Sequence, residues 1–431
     1  MRPPRVDRAA PPQDRAAVRI GRSRSVDPRE PVRQDRPGPW PSETGARPAR
    51  LSRTGAVFAL TGGAALALPF AQFKPNRIVA GDAIGWAGAL VQPVGSALAA
   101  ALALLLAAGL WAGLGQRLRL ALAAAGLFAV VLALGAAAHH LTPPGDRIAR
   151  VAPAAGFWLM LLALGLMATD ALARIRLTLG ARALLLAAAV AGSWAVLASG
   201  WLDGVSVMRE YGSRRALFQH EAVRHLWLAL GSLGLALAAG LPLGLAIHGR
   251  ERWRRPVLGA LNVVQTIPSL ALFGIMIPVL GWVAAHVPGA ASAGIAGIGA
   301  FPALVALFLY SLLPVVSNTV TGLAGVAPET REAAHGTGMT DRQVALEILL
   351  PLALPLILAG VRIVLVQNIG LAVIAGLIGG GGFGTFVFQG LAQTATDLVL
   401  LGALPTIALA LVAGLSLDLA VEALDRTRRA R

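Results

Sequence analysis

Long apolar runs separated by short polar segments extend from about residue 55 almost to the end of the sequence. Each run is close to the roughly 20 residues that an α-helix needs to cross the hydrocarbon core of a bilayer. The runs lie near residues 55–73, 91–114, 120–141, 154–173, 183–202, 225–247, 257–283, 292–316, 351–378 and 398–421. The pattern therefore predicts an all-α polytopic membrane protein with about ten transmembrane helices.

The composition agrees with a membrane protein and excludes several kinds of chemistry. Hydrophobic residues make up 56% of the 431 residues and charged residues 13%, whereas a soluble domain has about 25% charged residues. The chain has no cysteine, which excludes disulfides and thiolate sites. Its only lysine, Lys74, stands between Phe73 and Pro75, so the chain has no GxxxxGK[ST] phosphate loop. Any ATP hydrolysis that serves this chain belongs to another subunit.

Residues 1–54 contain 13 arginines and six acidic residues among many prolines. This composition predicts a disordered basic tail, which a misassigned start codon would also explain. Placing the tail in the cytoplasm puts 28 of the 37 Lys and Arg residues on the cytoplasmic side and eight on the outer side. Both termini are therefore predicted to be cytoplasmic. The net charge of +16 then reflects topology and contact with anionic lipid rather than nucleic-acid binding.

The two halves of the chain differ in polarity. The spans within residues 55–203 are rich in Ala and Leu, whereas those within residues 204–431 contain polar and helix-breaking residues at membrane depth. Such residues are tolerated where they line a cavity or pack against other helices. The second half is therefore predicted to be the functional one. Its polar and helix-breaking residues at membrane depth are Gln265, Thr266, Pro268, Ser269, Asn318, Arg362, Gln367, Asn368 and the glycine run at 379–384.

Residues 326–351, VAPETREAAHGTGMTDRQVALEILLP, form a polar segment that is long for a connection between two spans. We call it the coupling segment. Pro328 suits a first helical turn, and Gly336 and Gly338 end that helix. Thr340 and Gln343 form a T-x-x-Q capping box that opens a second helix. The segment is predicted to be a helix, a glycine turn and a helix, exposed on the cytoplasmic face.

The spacing of residues in this segment resembles the EAA loop of bacterial ABC-type importer permeases. The matching residues are Glu332, Ala333, Ala334, Gly338, Ile348, Leu350 and Pro351. The resemblance implies that they form a coupling helix that docks into a cleft of the ATP-hydrolysing subunit, and that ATP and Mg²⁺ bind that partner rather than this chain. The small alanines would permit close approach and Glu332 would offer a charge. The alternative is an amphipathic loop that only joins two spans.

Narrower resemblances point to one branch of these permeases. Residues 265–272, QTIPSLAL, resemble a signature of permeases for glycine betaine, choline and carnitine, and residues 241–244 and 378–384 are also similar to that branch. These matches cover about residues 204–431, which would be the permease core. Residues 55–203 would be an N-terminal accessory transmembrane region of about five spans, as in the larger permeases of the YehY type.

The resemblance also implies a translocation path in the second half, for which the candidate residues are Gln265, Thr266, Pro268, Ser269, Arg362, Gln367 and Asn368. Other interpretations remain open. Pro268 can kink a helix whose freed carbonyls Thr266 and Ser269 satisfy. Arg362, the only basic residue deep in a span, needs a partner or a path to the membrane surface. The glycine run fits either close helix packing or a re-entrant turn.

No metal site or enzyme motif is predicted. The seven histidines lack the spacing of a helical metal site, and the chain has no GxSxG or HExxH motif and no dinucleotide fingerprint following a strand. Asp418 and Glu422 share a helix face four residues apart, which favours a solvated helix end over a proton relay.

The predicted protein is thus a permease subunit in a bacterial inner membrane, not an enzyme. Its expected partners are an ABC ATPase, an extracytoplasmic substrate-binding protein, a second permease copy or a sister permease, and membrane lipid, with no nucleic acid. Aromatic residues are only 5% of the chain, so an aromatic cage for a quaternary ammonium group is expected in the binding protein. The alternatives are an ABC permease for methionine, other amino acids or sulfonates, and a passive channel or scaffold without an ATPase.

Overall fold

The computed structural model describes residues 51–76, 81–143, 145–146 and 148–429. The predicted tail lies outside the described residues up to residue 50. The helices are α1 Arg53–Ala67, α2 Val94–Leu110, α3 Gln116–Leu141, α4 Ala155–Arg174, α5 Leu179–Ala198, α6 Ser206–Ser213, α7 Arg215–His248, α8 Glu251–Thr266, α9 Ser269–His286, α10 Ala300–Ala324, α11 Pro328–Gly336, α12 Asp341–Gln343, α13 Leu350–Leu371, α14 Gly384–Ala392 and α15 Thr396–Arg429. A π-helical turn, Val344–Leu349, joins α12 to α13, and a 3₁₀-helix, Ile374–Ile378, follows α13.

Each predicted apolar run contains a helix, so the polytopic helical fold is confirmed. In the described part of the chain, eight helices are long and apolar enough to span a membrane: α3, α4, α5, α7, α9, α10, the continuous helix Asp341–Leu371, and α15. The seventh predicted run, 257–283, is divided into α8 and α9, because Pro268 follows Ile267 in an extended conformation. The first predicted run ends early, at Ala67, two residues before Pro69.

A small antiparallel sheet, which the hydrophobic pattern did not predict, lies among the first helices. Its strands are β1 Ala71–Lys74, β2 Asp82–Ile84 and β3 Arg150–Pro153, in the order β2-β1-β3. Beside it the rings of Phe70 and Trp86 lie 4.3 Å apart, and Trp86 Nε1 donates to the Ala65 carbonyl at 2.9 Å. The strands are only three or four residues long, so their alternation is too brief to be recognised within apolar runs.

Helices α7 and α10 pack side by side and run parallel. Gly231 lies beside Leu304, and Gly244 lies beside Thr319 further along both helices. A Cβ on Gly244 would approach the Thr319 side chain to 2.7 Å, so the glycine permits the close packing of the two helices.

Helix α13 packs against α10 in the opposite direction. Gly322 of α10 contacts Ala353 near the start of α13, and the Gly299 N–H before α10 donates to the Ile378 carbonyl after α13 at 3.0 Å. The three helices α7, α10 and α13 therefore form a bundle with two distinct ends. The coupling segment lies at one end, the coupling end. Residues 379–383, which we call the glycine turn, lie at the opposite end.

Helix α6 contacts elements from both halves of the chain. On one side, Val205 forms a bridge with Val151 of β3, and Glu210 forms an ion pair with Arg150. On the other side, Ser206 Oγ donates to Asp397 Oδ1 of α15 at 2.6 Å. The helix is therefore held by both parts of the chain. It lies at the same end of the molecule as the glycine turn, because α7 starts directly after it.

Candidate functional site: the coupling segment and the polar contacts of the core

The coupling segment has the predicted helix, turn and helix. Helix α11 begins with Pro328 in its first turn and ends at Gly336. Gly338 has a φ of +86°, in the left-handed region that favours glycine. The capping box that opens α12 is confirmed, since the Gln343 N–H donates to Thr340 Oγ1 at 3.4 Å and the Thr340 N–H donates to Gln343 Oε1 at 2.9 Å.

An apolar cluster fixes α11 to the ends of the long helices. Ala334 is 8% exposed and packs in a cluster with Leu323, Val326, Val344, Leu349, Ala353 and Ile357. The Ala334 carbonyl accepts hydrogen bonds from Thr337 Oγ1 at 2.8 Å and from the Met339 N–H at 3.3 Å. The apolar cluster thus packs α11 against the ends of α10 and α13.

The seven motif residues divide into two groups. Glu332, Ala333 and Gly338 are exposed and form the projecting surface. The others face the protein: Ala334 is buried, Ile348 and Leu350 are partly buried against the cluster, and Pro351 lies in the first turn of α13. The motif therefore combines a free surface with the residues that hold it in place.

Asn368 is at the centre of a polar contact inside the bundle. It is fully buried; its Nδ2 donates to Ser232 Oγ of α7 at 2.8 Å, and its Oδ1 accepts from Ser311 Oγ of α10 at 3.0 Å. Both hydroxyls also contact carbonyls of their own helices. We call these three residues the Asn368 cluster. The cluster joins α7, α10 and α13 by hydrogen bonds. Separation of the helices would leave the Asn368 amide without hydrogen-bond partners in an apolar interior, which is unfavourable.

The broken span is attached to α10 near the same level. Gln265 Nε2 donates to the Tyr310 carbonyl at 3.1 Å, and the Tyr310 hydroxyl donates to the Ile267 carbonyl. The hydroxyl of Thr266 donates to the Val263 carbonyl of its own helix at 2.7 Å. Pro268 is exposed, and Ser269, partly exposed, starts α9.

Arg362 is separate from these residues. It forms an ion pair with Asp418 of α15, and it precedes Asn368 by six residues, or about 9 Å along the helix. Glu422 contacts Arg182 of α5. Asp418 and Glu422 thus each have a basic partner. The prediction of a solvated helix end at these two residues did not anticipate these ion pairs. Gln367 is partly buried next to Asn368.

Three residues that the sequence did not single out as site residues contact the glycine turn. Glu221, Arg224 and His225 lie on one face of α7, with the spacing i, i+3 and i+4. The Gly382 N–H donates to Glu221 Oε2, and Arg224 Nε donates to the Gly380 carbonyl at 2.7 Å. The i, i+3, i+4 spacing of these polar residues could have indicated a polar face on α7. It could not have identified the partners of that face, because the glycine turn is more than 150 residues away in sequence. The glycine run forms a non-helical turn between the 3₁₀-helix Ile374–Ile378 and α14, with Gly379, Gly381 and Gly382 at positive φ.

Among the described residues, no group of three or more metal-ligating side chains could hold a metal ion. A projecting helix at one end packs against a bundle whose interior is joined by hydrogen bonds, and a non-helical turn lies at the other end.

Two family models match the chain. Residues 52–208 match the N-terminal domain of the ABC transporter permease YehY. Residues 236–430 match the inner membrane component of binding-protein-dependent transport systems.

Two relatives and one solved structure are similar to this chain. The osmoprotectant import permease protein OsmW of Salmonella typhimurium is 44% identical over 190 residues, which cover 44% of this chain and 83% of OsmW. The glycine betaine/carnitine/choline transport system permease protein OpuCB of Bacillus subtilis is 37% identical over 188 residues, which cover 44% of this chain and 79% of OpuCB. A structure of the MetNI methionine ABC transporter in an inward-facing conformation has a TM-score of 0.42 at 22% identity, over 49% of this chain and 97% of that one.

Members of this family are membrane-embedded transport subunits that work with a substrate-binding protein, and ATP is hydrolysed by a separate subunit. The apolar helices, the projecting coupling segment and the identity to these relatives lead to one conclusion. The chain belongs to the family of inner membrane components of binding-protein-dependent ABC importers, as a multi-pass permease subunit.

Proposed function

We propose that this permease subunit imports an osmoprotectant with a quaternary ammonium group, of the glycine betaine, choline or carnitine class. The support is the similarity of its core to permeases named for these compounds. The chain has two tyrosines and nine tryptophans in 431 residues, so we assign recognition of the ammonium group to an aromatic site in the binding protein.

Energy for import enters through the coupling segment. The observation that carries this proposal is the division of the motif into the exposed Glu332 and Ala333 and the buried Ala334. An ATPase subunit that binds the projecting surface would move α11, and the apolar cluster would pass the movement to α10 and α13. ATP and Mg²⁺ bind to that partner, and this chain binds no cofactor of its own.

The coupling end faces the cytoplasm in this proposal, as do both termini. Arginines at 250, 252, 254 and 255 follow α7 at the coupling end, and three arginines lie among residues 426–429 at the end of α15, in agreement with the excess of basic residues on cytoplasmic loops. The glycine turn then faces the extracytoplasmic side, where the binding protein delivers its cargo.

The passage itself forms between two permease chains, a second copy or a sister subunit. We assign the path to the broken span, where Thr266, Pro268 and Ser269 lie next to Gln265, and to Gln367. Asn368 and Arg362 are engaged with other helices, so their role is to position α13. Residues 55–203 form the accessory region and residues 204–431 the permease core.

Site-specific crosslinking tests the coupling proposal. Because the chain contains no cysteine, Ala333→Cys provides a single thiol that can carry a benzophenone maleimide. Illumination of membranes that contain the full importer is expected to join this chain to the ATPase. Ala271→Cys is the matched control, because Ala271 is also an exposed alanine but lies on α9. Equal capture of the ATPase from both positions, or from neither, would contradict the proposal.

Transport by the reconstituted importer tests the cargo. Proteoliposomes that contain the permease, its ATPase and its binding protein are expected to accumulate labelled glycine betaine or choline only with ATP inside. Competition by methionine or a sulfonate instead would favour the other importer class. Uptake that persists when the catalytic glutamate of the ATPase is replaced would indicate a passive channel.

A further inference from the structure

The glycine turn is an irregular piece of backbone between two helices at the end of the bundle. Gly379, Gly381 and Gly382 have φ values of +73°, +80° and +79°. Non-helical backbone of this kind is tolerated near the membrane only when protein covers it or when it borders an aqueous cavity. Its polar groups therefore need partners, and α7 supplies them.

Three side chains of α7 contact the turn, at Gly380, Gly382 and Phe383. Arg224 Nε donates to the Gly380 carbonyl at 2.7 Å. Glu221 Oε2 accepts from the Gly382 N–H and from Thr385 Oγ1, the latter at 3.5 Å.

The third contact is that of His225. Its Nδ1 accepts from the Phe383 N–H at 3.4 Å, and the two rings lie 4.8 Å apart. The turn is thus held by a carboxylate, a guanidinium and an imidazole from one helix face.

The fit between the turn and α7 is close. A Cβ on Gly381 would lie 2.6 Å from Arg224 Cδ and 2.8 Å from Glu221 Oε2, and a Cβ on Gly382 would lie 3.1 Å from His225 Nδ1. The glycines are therefore required for contact as well as for their backbone conformation. The turn lies directly on the polar face of α7 without space for a side chain between them.

Glu221 is the unusual member of this group. It is 6% exposed, and among the described residues its ion-pair partner is the exposed His220 at 3.3 Å. Its Oε2 accepts from a backbone N–H and a hydroxyl, and in the described structure the Arg224 guanidinium lies beside the same glycine, Gly381, without a direct ion pair to Glu221, so burial costs the carboxylate much of its hydration. An apolar contact would secure the turn without that cost. The arrangement suits a contact that is made in one state of the protein and released into water in another.

The glycine turn closes the bundle at this end. The Gly299 N–H donates to the Ile378 carbonyl, which ties the start of the turn to α10. Ser232 of the Asn368 cluster follows His225 by seven residues, so it lies about 10 Å deeper along α7. Both residues are fully buried. If the turn leaves α7, water from this end reaches the interior of the bundle.

We propose that Glu221 latches the glycine turn over the extracytoplasmic end of the α7, α10 and α13 bundle, and that its release from Gly382 frees this end of the bundle to move when the passage between the two chains opens. This inference rests on the proposed orientation of the chain. Glu221 acts as a positioning residue, since it holds the backbone of the glycine turn against α7 and does not itself bind the cargo.

The test uses side-specific labelling of a single thiol in the complete importer. In a chain without cysteine, Ser232→Cys is a conservative reporter of water access to the interior. A membrane-impermeant maleimide is added to one side of the membrane at a time. Labelling from the extracytoplasmic side is expected to be slow with Glu221 and about tenfold faster or more with Glu221→Ala, because a hydrogen bond to a charged group is lost.

Two further variants make the result specific. Glu221→Gln keeps the shape of the side chain and is expected to give an intermediate labelling rate. Asp397→Asn is the matched control, because Asp397 is also an acidic residue that is 6% exposed, but the hydrogen bond that it accepts comes from Ser206 of α6 and not from the glycine turn. Its labelling rate is expected to equal that of the reporter alone.

The proposal is overturned if neither Glu221 variant changes the labelling rate, or if Asp397→Asn raises it as much, which would show general loosening. An increase seen only from the side of the coupling segment would also overturn it. The assay needs no cargo, so a wrong substrate assignment leaves its outcome unaffected. Conversely, import of glycine betaine by a chain whose labelling is insensitive to Glu221 would retain the proposed function and reject the latch.

Discussion

The guanidinium of Arg362 on α13 contacts the carboxylate of Asp418 on α15, so the single basic residue deep in an apolar run has an acidic partner on the neighbouring helix. The two residues are 56 positions apart in sequence, and their side chains are 41% and 36% exposed. An uncompensated arginine at the centre of a membrane helix costs about 2.5–3.5 kcal/mol on insertion scales. The pair therefore fixes how α13 lies against α15.

Replacement of Asp418 by alanine is expected to lower the free energy of unfolding in detergent by about 1–3 kcal/mol, because it leaves Arg362 without its partner. The double variant Arg362→Leu/Asp418→Leu is expected to recover most of the loss. Glu251→Ala serves as a control, since it removes the partner of Arg255 in a pair whose side chains are 63% and 80% exposed, and should change little. A double variant as unstable as the single one would contradict the pairing.

The Asn368 cluster gives a second prediction. Asn368→Ala removes the two hydrogen bonds that join α7 and α10 to α13, and interhelical bonds of this kind contribute about 0.6–1.7 kcal/mol each. A loss of about 1–3 kcal/mol is expected in thermal or denaturant unfolding. Gln367→Ala, at the adjacent and only partly buried position, should have the smaller effect. The reverse order of the two losses would argue against the cluster.

A third prediction concerns transmission through the coupling segment. Gly338→Ala places a Cβ at a φ of +86°, which costs roughly 1–2 kcal/mol locally and shifts α11. Import is expected to fall at least severalfold while the amount of protein in the membrane stays normal. Gly336→Ala is the control, because Gly336 ends the helix without a positive φ and has open space around it. Normal import by Gly338→Ala would show that the turn geometry is dispensable.

The fourth prediction concerns the glycine turn. Gly381→Ala combines a φ of +80° with a Cβ that approaches Arg224 and Glu221, and a loss of stability of about 1–3 kcal/mol is expected. Gly234→Ala, on α7 with open space around it, should be neutral or stabilising because alanine favours helix by about 1 kcal/mol. Thermal unfolding of both variants in detergent measures the difference. Equal stability of the two would indicate that the turn does not depend on its contact with α7.

The sequence pattern predicted the features of this structure that are determined by residues close together in the chain. The apolar runs located the long helices, Pro328 and the Thr340–Gln343 box located the ends of α11 and α12, and Gly338 has the expected conformation. The motif residues were found because their spacing along the chain is fixed. The structure adds that Ala334 is buried and Glu332 exposed, a distinction that spacing cannot provide.

Long-range pairings were beyond the reach of the pattern. Glu221 and Gly382 are 161 residues apart, and Arg150 and Glu210 are 60 apart. Arg224 contributed only to the charge balance, and His225 was considered only as a metal ligand. The strands of the small sheet were missed for the same reason, because β1 and β3 are stabilised by pairing with each other across a long stretch of sequence.

Helix α6 has a consequence for how the two parts of the chain can be separated. Val205 forms a bridge with Val151. The Glu210 carboxylate forms ion pairs with Arg150 of β3 and with Arg214, four residues further along the chain. Arg214 also donates a hydrogen bond to Gln389 of α14 at 3.3 Å. Cleavage of the chain at residue 203 would therefore expose contact residues on both fragments. Residues 55–203 are thus linked through Glu210 of α6 and Arg214 to α14, the helix that follows the glycine turn.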